Sequence, residues 1–153
     1  MSDRDSVVRI AYHEAGHTVV ARSLGIEVEG VSIVEDEDSH GRSLSPLREG
    51  FDYYGDEDAD EHLEDHLLVC LAGAVAEEKL TGKRPELEGN DRQGAGDILI
   101  RIAPGTNGAK MEESIDRARD ILSENWSNVT TLAEALLEHG KLSAGQVRTL
   151  LIR

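Results

Sequence analysis

The chain has 153 residues, of which 31 are acidic and 16 basic, so its net charge is −15. Such a charge repels phosphate backbones and anionic membrane surfaces, and one Phe, one Trp and three Tyr offer little for base stacking. The composition therefore argues against nucleic-acid and membrane partners, and the length fits one domain over residues 1–153.

The N-terminal third predicts one helix followed by two short strands. Apolar residues from Val7 to Val20 recur at spacings of three and four, and Gly25 follows as a helix end. Val28–Val34 alternates in the manner of a strand, and Arg42–Pro46 is a second short extended stretch, so we expect a hairpin. Residues 47–59 have no period and predict a surface loop.

A second long helix is predicted from Asp60 to Leu80, with Gly82 just beyond its end. Its apolar run, Leu67–Ala76, is ten residues long, which suits a buried core helix and is too short to span a membrane. The single cysteine, Cys70, lies in that run. With no disulfide possible within the chain and no signal peptide, a cytoplasmic location is expected.

The C-terminal half predicts a helical bundle. Glycine and charge make Lys83–Gly96 a predicted loop, and a helix is expected to begin at Asp97 and end near Pro104. Helical spacing then continues through residues 111–126, 128–139 and 143–152. The predicted fold class is mostly α (α+β), a helical bundle with a small β hairpin.

The first helix carries the motif His13-Glu14-Ala15-Gly16-His17. Residues i and i+4 share one helix face, so both imidazoles can bind one divalent ion, which is half of a zinc site. Glu14 follows the first ligand by about 100° of rotation and is placed to act as general base on a water molecule. The small Ala15 and Gly16 leave space for a ligand to approach.

A simpler interpretation makes these histidines polar residues at the edge of the core. The chain offers its own comparison, because His62 and His66 have the same spacing but no glutamate directly follows the first histidine. We interpret that second pair as a solvated helix face.

A hydrolytic zinc site needs a third protein ligand. Asp97 follows the flexible Gly94-Ala95-Gly96, and Glu77 and Glu78 end the apolar run of the second helix. A carboxylate near the core needs a metal or a positive partner. The Glu pair could also form a helix-end salt bridge or a hydrogen bond to a ligand histidine. Spacing leaves these possibilities open.

Three separated segments, in this order, resemble the peptidase domain of FtsH-type ATP-dependent zinc metalloproteases. They are Ala11-Tyr12-His13-Glu14-Ala15-Gly16-His17, Leu71-Ala72-Gly73-Ala74-Val75-Ala76-Glu77-Glu78 and Gly94-Ala95-Gly96-Asp97. The stretch from Ile115 to Leu142 is similar to the final helices of that family, so the resemblance covers nearly the whole chain.

The resemblance implies that His13, His17 and Asp97 bind Zn²⁺, that Glu14 activates the water, and that Glu77 and Glu78 support the site. It also implies that an exposed edge strand binds an extended peptide through main-chain hydrogen bonds. That strand comprises Gly41, Arg42, Ser43, Leu44 and Ser45 and ends at Pro46. Rings of six subunits are a further implication.

Two departures from the family pattern stand out. Ala74 replaces an arginine that is usual in the second motif, and the Gly94–Asp97 element is one residue shorter than its common form. No GxxxxGK[ST] loop occurs, so we expect a peptidase part without an ATPase.

The predicted function is a zinc endopeptidase that cleaves flexible or unfolded polypeptides, with or without a separate unfoldase. One alternative is a catalytically silent binding or regulatory module of the same fold, with a structural metal. Another is a hydrolase that cleaves a different bond with the same zinc and water.

Overall fold

A computed structural model describes residues 3–35, 40–44 and 59–151, and the side chains of most of them. The predicted loop at residues 47–59 lies outside the described residues up to position 58. The described elements are α1 (Asp3–Ser23), β1 (Gly30–Glu35), β2 (His40–Leu44), α2 (Ala59–Thr81), α3 (Gly89–Ile102), α4 (Asn107–Glu124), α5 (Trp126–His139), β3 (Lys141–Ser143) and α6 (Ala144–Leu150). This architecture confirms the predicted mostly α fold class.

Helix α2 lies at the centre of the bundle and packs against α1, α3 and α4. Its leucines Leu63, Leu67, Leu68 and Leu71 are all fully buried or nearly so. A helix that is apolar on every face is stable only when neighbours cover it on every side, and this explains its central position. None of the described helices combines the length and apolarity needed to cross a bilayer.

Gly16 brings α1 and α2 into close contact. A Cβ atom at Gly16 would lie 2.6 Å from the Ala76 Cβ and 2.9 Å from the Ala72 carbonyl oxygen. The space beside Gly16 is therefore occupied by α2 and does not serve the approach of a ligand, which corrects the sequence interpretation.

We expect the substitution Gly16→Ala to destabilise the fold. Overpacking costs about 1–3 kcal/mol, against about 1 kcal/mol returned by removing a helical glycine, so we expect a net loss of up to about 2 kcal/mol. Urea unfolding measures this change in the free energy of unfolding. Gly96→Ala is the matched control, because a Cβ there meets no atom within 4 Å. It should raise the free energy of unfolding by about 0.5–1 kcal/mol. Equal effects at both positions would refute the close contact.

The three strands form one antiparallel sheet in the order β2-β1-β3. The β1–β2 pair confirms the predicted hairpin, with Gly30 opposite Leu44 and a register irregularity between Ser32 and Glu35. Strand β3 pairs with β1 from far along the chain, with Leu142 opposite Val31. Both of these side chains are buried. A strand of three residues is too short to show a period, so the sequence did not predict it.

Helix α3 begins at Gly89 and not at Asp97. The glycine-rich composition of this segment favours a loop, but packing against α2 stabilises the segment as a helix. Ala95, Ile98 and Leu99 are buried, and a Cβ at Gly94 would approach the Cys70 sulfur at 3.0 Å. The small residues thus permit close contact between α3 and α2. The predicted loop Lys83–Gly96 is wrong from Gly89 onward, where α3 begins.

Candidate metal centre

Two helices bring three metal-ligating side chains to one point. His13 and His17 project from α1, and Asp91 projects from the first turn of α3. His13 Nε2 lies 3.0 Å from Asp91 Oδ2, His17 Nε2 lies 3.1 Å from the same oxygen, and the two Nε2 atoms are 3.1 Å apart. The rings meet edge to face, with centroids 4.7 Å apart.

The other nitrogen of each ring makes a hydrogen bond that orients the ring. His17 Nδ1 donates to the Val69 carbonyl oxygen at 2.6 Å, and His13 Nδ1 donates to Glu77 Oε2 at 2.6 Å. A carbonyl oxygen only accepts, so His17 carries a proton on Nδ1, and Nε2 is the nitrogen that faces Asp91. Both rings therefore direct Nε2 toward Asp91.

The electrostatics of this cluster favour a cation. Burial lowers the pKa of His13, but hydrogen bonds to Asp91 and Glu77 and the charges of Glu14 and Asp91 outweigh burial and raise the pKa to about 10. Burial raises the pKa of Asp91, yet the charge of His17 and the hydrogen bonds of both histidines hold it well below its ordinary value. The carboxylate is ionised, and it requires positive charge beside it.

The donor set fits zinc. Two imidazole nitrogens and one carboxylate oxygen are the usual protein ligands of a catalytic zinc ion, which keeps a further position open. In a tetrahedral site with bonds of 2.0–2.1 Å, neighbouring ligand atoms are roughly 3.3 Å apart. The observed separations of 3.0–3.1 Å are close to that value.

Gly73 of α2 makes room for the first ligand. A Cβ at this position would lie 2.6 Å from both Cδ2 and Cε1 of the His13 ring. Only glycine lets the ring lie against the α2 backbone in this orientation, so α2 shapes the site as well as the core.

Glu14 is buried next to His13, with 4% of its surface exposed, and its charge contributes to the raised pKa of His13. The Glu14 main-chain carbonyl accepts a hydrogen bond from the Thr18 hydroxyl. The negative charge of the Glu14 carboxylate thus acts on the candidate ligand His13. This agrees with the proximity expected from the helical rotation of about 100° between positions 13 and 14.

The structure brings Asp91, not the expected Asp97, to the two histidines. Asp97 lies in the middle of α3 and is exposed. Six residues separate the two carboxylates, so they differ by about 240° around the helix axis and cannot share a face. The sequence did contain a signal for Asp91. When the helical repeat of the buried residues Ala95, Ile98 and Leu99 is extended towards the N-terminus, Asp91 falls on the same helix face.

The paired glutamates have different partners. Glu77 binds His13 and also lies 3.4 Å from Arg9 Nη1. Glu78 accepts two hydrogen bonds from Arg119 of α4, at 2.9 and 3.1 Å, and these interactions lower its pKa. Glu77 therefore contacts a candidate metal ligand, whereas Glu78 joins α2 to α4.

The predicted peptide-binding residues Gly41, Arg42, Ser43 and Leu44 lie in β2, and Ser45 lies outside the described residues. Strand β2 pairs with β1 on one side, and within the described sheet no strand pairs with its other side. It also packs near α1, the helix that carries the histidines.

The second histidine pair differs from its predicted solvated face. His62 is exposed, but His66 is buried, with 7% of its surface exposed. Burial is the main reason that the pKa of His66 falls to about 4, and the charge of His62 lowers it further. His66 is therefore neutral at pH 7.

We expect His66 to make the fold sensitive to acid. Between pH 6.5 and about 4 the unfolded chain binds more protons than the folded chain at this position, so stability falls as pH falls. From pH 7 to pH 5, zinc-free wild-type protein should lose about 2 kcal/mol more than His66→Gln in urea unfolding. His62→Gln, which changes an exposed residue, should behave nearly as wild type. Equal losses in wild type and His66→Gln would contradict this prediction.

Comparison with known proteins supports the resemblance seen in the motifs. No family model matches the chain. An ATP-dependent zinc metalloprotease FtsH of Magnetococcus marinus is 26% identical in an alignment of 181 positions, gaps included, that covers 90% of this chain. A protein of the same name from Hahella chejuensis is 42% identical in an alignment of 85 positions that covers 51% of this chain.

The matched regions make up 26% of the length of the Magnetococcus protein and 12% of that of the Hahella protein. The predicted resemblance is nevertheless confirmed. Across 90% of its length, this chain is similar in sequence to FtsH-type ATP-dependent zinc metalloproteases, in their peptidase region.

Proposed function

We propose that this chain is a zinc-dependent endopeptidase that hydrolyses peptide bonds in flexible or unfolded polypeptides. The observation that carries the proposal is the convergence of His13 Nε2, His17 Nε2 and Asp91 Oδ2 within 3.1 Å of one another. The names of the two relatives, which are zinc metalloproteases, support it.

His13, His17 and Asp91 would hold the metal. When bound, a zinc ion supplies Lewis-acid polarisation of the scissile carbonyl and of the attacking water. Glu14 takes the proton that this water loses as its oxygen bonds to the carbonyl carbon, and then gives the proton to the amine nitrogen as the carbon–nitrogen bond breaks.

Strand β2 is proposed to bind the substrate. The side of β2 that pairs with no strand among the described residues can add an extended peptide as a further strand. Such pairing uses main-chain groups and does not require a particular sequence. Only a segment without stable structure can adopt that extended form. The proposed substrates are therefore flexible or unfolded, and a separate ATPase would be needed to unfold a stable protein first.

A silent binding module with a structural metal is the main alternative. A structural site is usually closed by a fourth protein ligand. The group found among the described residues has three members and a glutamate beside them. This arrangement favours catalysis, and a hydrolase acting on another bond remains an outcome of the substrate test. Two further parts of the proposal are a cytoplasmic location, for which the single cysteine argues, and a ring of six subunits, which the resemblance implies.

The decisive experiment measures metal content and proteolysis together. After zinc loading and dialysis, we expect a single zinc ion per chain and cleavage of casein and of an unfolded fluorogenic peptide. A chelator should abolish cleavage and added zinc should restore it, while a stably folded substrate remains intact. Bound zinc without cleavage of any peptide would favour the silent module. If no zinc binds, both interpretations are wrong.

A further inference from the structure

Arg9 lies one helical turn before His13 on α1 and contacts the same glutamate as this histidine. Arg9 Nη1 is 3.4 Å from Glu77 Oε1, and His13 Nδ1 is 2.6 Å from Glu77 Oε2. The two oxygens of one carboxylate are thus divided between a guanidinium and the candidate metal ligand.

Glu77 needs such a cation. Its side chain is only 12% exposed, and it lies near the C-terminal end of α2, where the helix dipole disfavours negative charge. Within the described residues, its ionic partners are Arg9 and His13. Among these partners, Arg9 supplies a permanent positive charge beside the carboxylate, because an arginine stays protonated at every physiological pH.

We propose that Arg9 is a positioning residue of the metal centre. By occupying Oε1 of Glu77, Arg9 leaves Oε2 to accept the His13 Nδ1 proton, and this hydrogen bond directs Nε2 toward Asp91 and His17. Without Arg9 the Glu77 carboxylate can rotate, and the His13 ring loses its orienting partner. The inference rests on the proposed function, since it concerns the same zinc centre.

A purely structural role for the pair, as a link between α1 and α2, makes different predictions. An ion pair whose arginine is partly exposed contributes about 0–1 kcal/mol to stability, and its loss would leave zinc affinity unchanged in the folded protein. Zinc affinity therefore separates the two roles, and it does not require any proteolytic activity.

The test compares zinc affinity in the full chain by competition with a chromophoric chelator. Changing a partner that orients a metal-ligating histidine typically weakens affinity about 10–100-fold, which we expect for Glu77→Gln. Arg9 acts one contact further from the metal, so Arg9→Met should weaken affinity by about 3- to 10-fold. Arg9→Lys, which keeps the charge, should recover most of the loss. Arg4→Met, which removes an exposed arginine of the same helix, is the control and should match wild type.

A double-mutant cycle then tests whether Arg9 acts through Glu77. In the Glu77→Gln background, Arg9→Met should cause no further loss of zinc affinity. A full additional loss, or wild-type affinity for Arg9→Met alone, would overturn the inference and leave the zinc centre intact. Absence of zinc binding in wild type would instead overturn the proposed function as well.

Folding is checked on each zinc-free variant by its thermal midpoint. Should Arg9→Met fail to fold, Arg9→Gln serves as the second charge-removing variant with the same expected loss. The NMR signal of the His13 Nδ1 proton provides an independent readout. That proton should be visible and shifted downfield in wild type and in Arg9→Lys, and should exchange faster with water in the charge-removing variant. An unchanged signal would contradict the inference.

Discussion

Replacing Glu14 by glutamine is expected to abolish peptide hydrolysis while zinc stays bound. Glutamine keeps the volume of this buried side chain but cannot accept the proton of the attacking water. General-base catalysis contributes about 10²–10⁴-fold to rates, so kcat/KM for an unfolded fluorogenic peptide should fall by at least about 100-fold. Zinc stoichiometry and the unfolding midpoint should remain those of wild type.

The control for Glu14→Gln is Glu134→Gln, which removes the same charge from an exposed position on α5. This variant should cleave the peptide at the wild-type rate. Hydrolysis that survives in highly purified Glu14→Gln protein would rule out Glu14 as the base, even if zinc and the chelator behave as proposed.

The second large effect distinguishes two aspartates of α3. Asp91→Asn should weaken zinc binding by more than about 100-fold, since it alters a direct ligand and so exceeds the effect expected for an orienting partner. Proteolysis should fall in parallel. Asp97→Asn, which changes an exposed carboxylate six residues later, should leave zinc affinity within about two-fold of wild type.

Isothermal titration of the zinc-free proteins measures both variants under the same conditions. The pair is well matched, because each substitution removes one negative charge from the same helix and preserves side-chain shape. A larger loss for Asp97→Asn than for Asp91→Asn would restore the ligand set implied by the motif resemblance and would contradict the observed arrangement of α3.

The sequence was informative wherever the signal was local. The spacing of apolar residues predicted α1 and α2, and the glycines at positions 25 and 82 follow their ends with positive φ. The adjacency of His13 and His17 on one helix face follows from the helical repeat alone, within a span of four residues. The placement of two of the three candidate ligands, His13 and His17, could therefore be predicted without any tertiary information.

The third member of the candidate site depended on where α3 begins. Glycine-rich composition indicates a loop, and a flexible loop would allow Asp97 to approach the histidines. Packing of Ala95, Ile98 and Leu99 against the core instead extends the helix back to Gly89 and turns Asp97 to solvent. Local propensities amount to less than about 1 kcal/mol per residue, whereas burying one large apolar side chain is worth about 1.5–3 kcal/mol.

By itself the sequence determined the helices of the bundle other than the start of α3, together with the histidine pair and the glutamate between them, because helical periodicity acts between neighbours in the chain. Only the tertiary structure decided that Asp91 completes the cluster, that Glu77 orients His13 and that His66 is buried. Each of these depends on how separate helices pack at close range, and a contact between residues more than 50 positions apart leaves no periodic pattern in the chain.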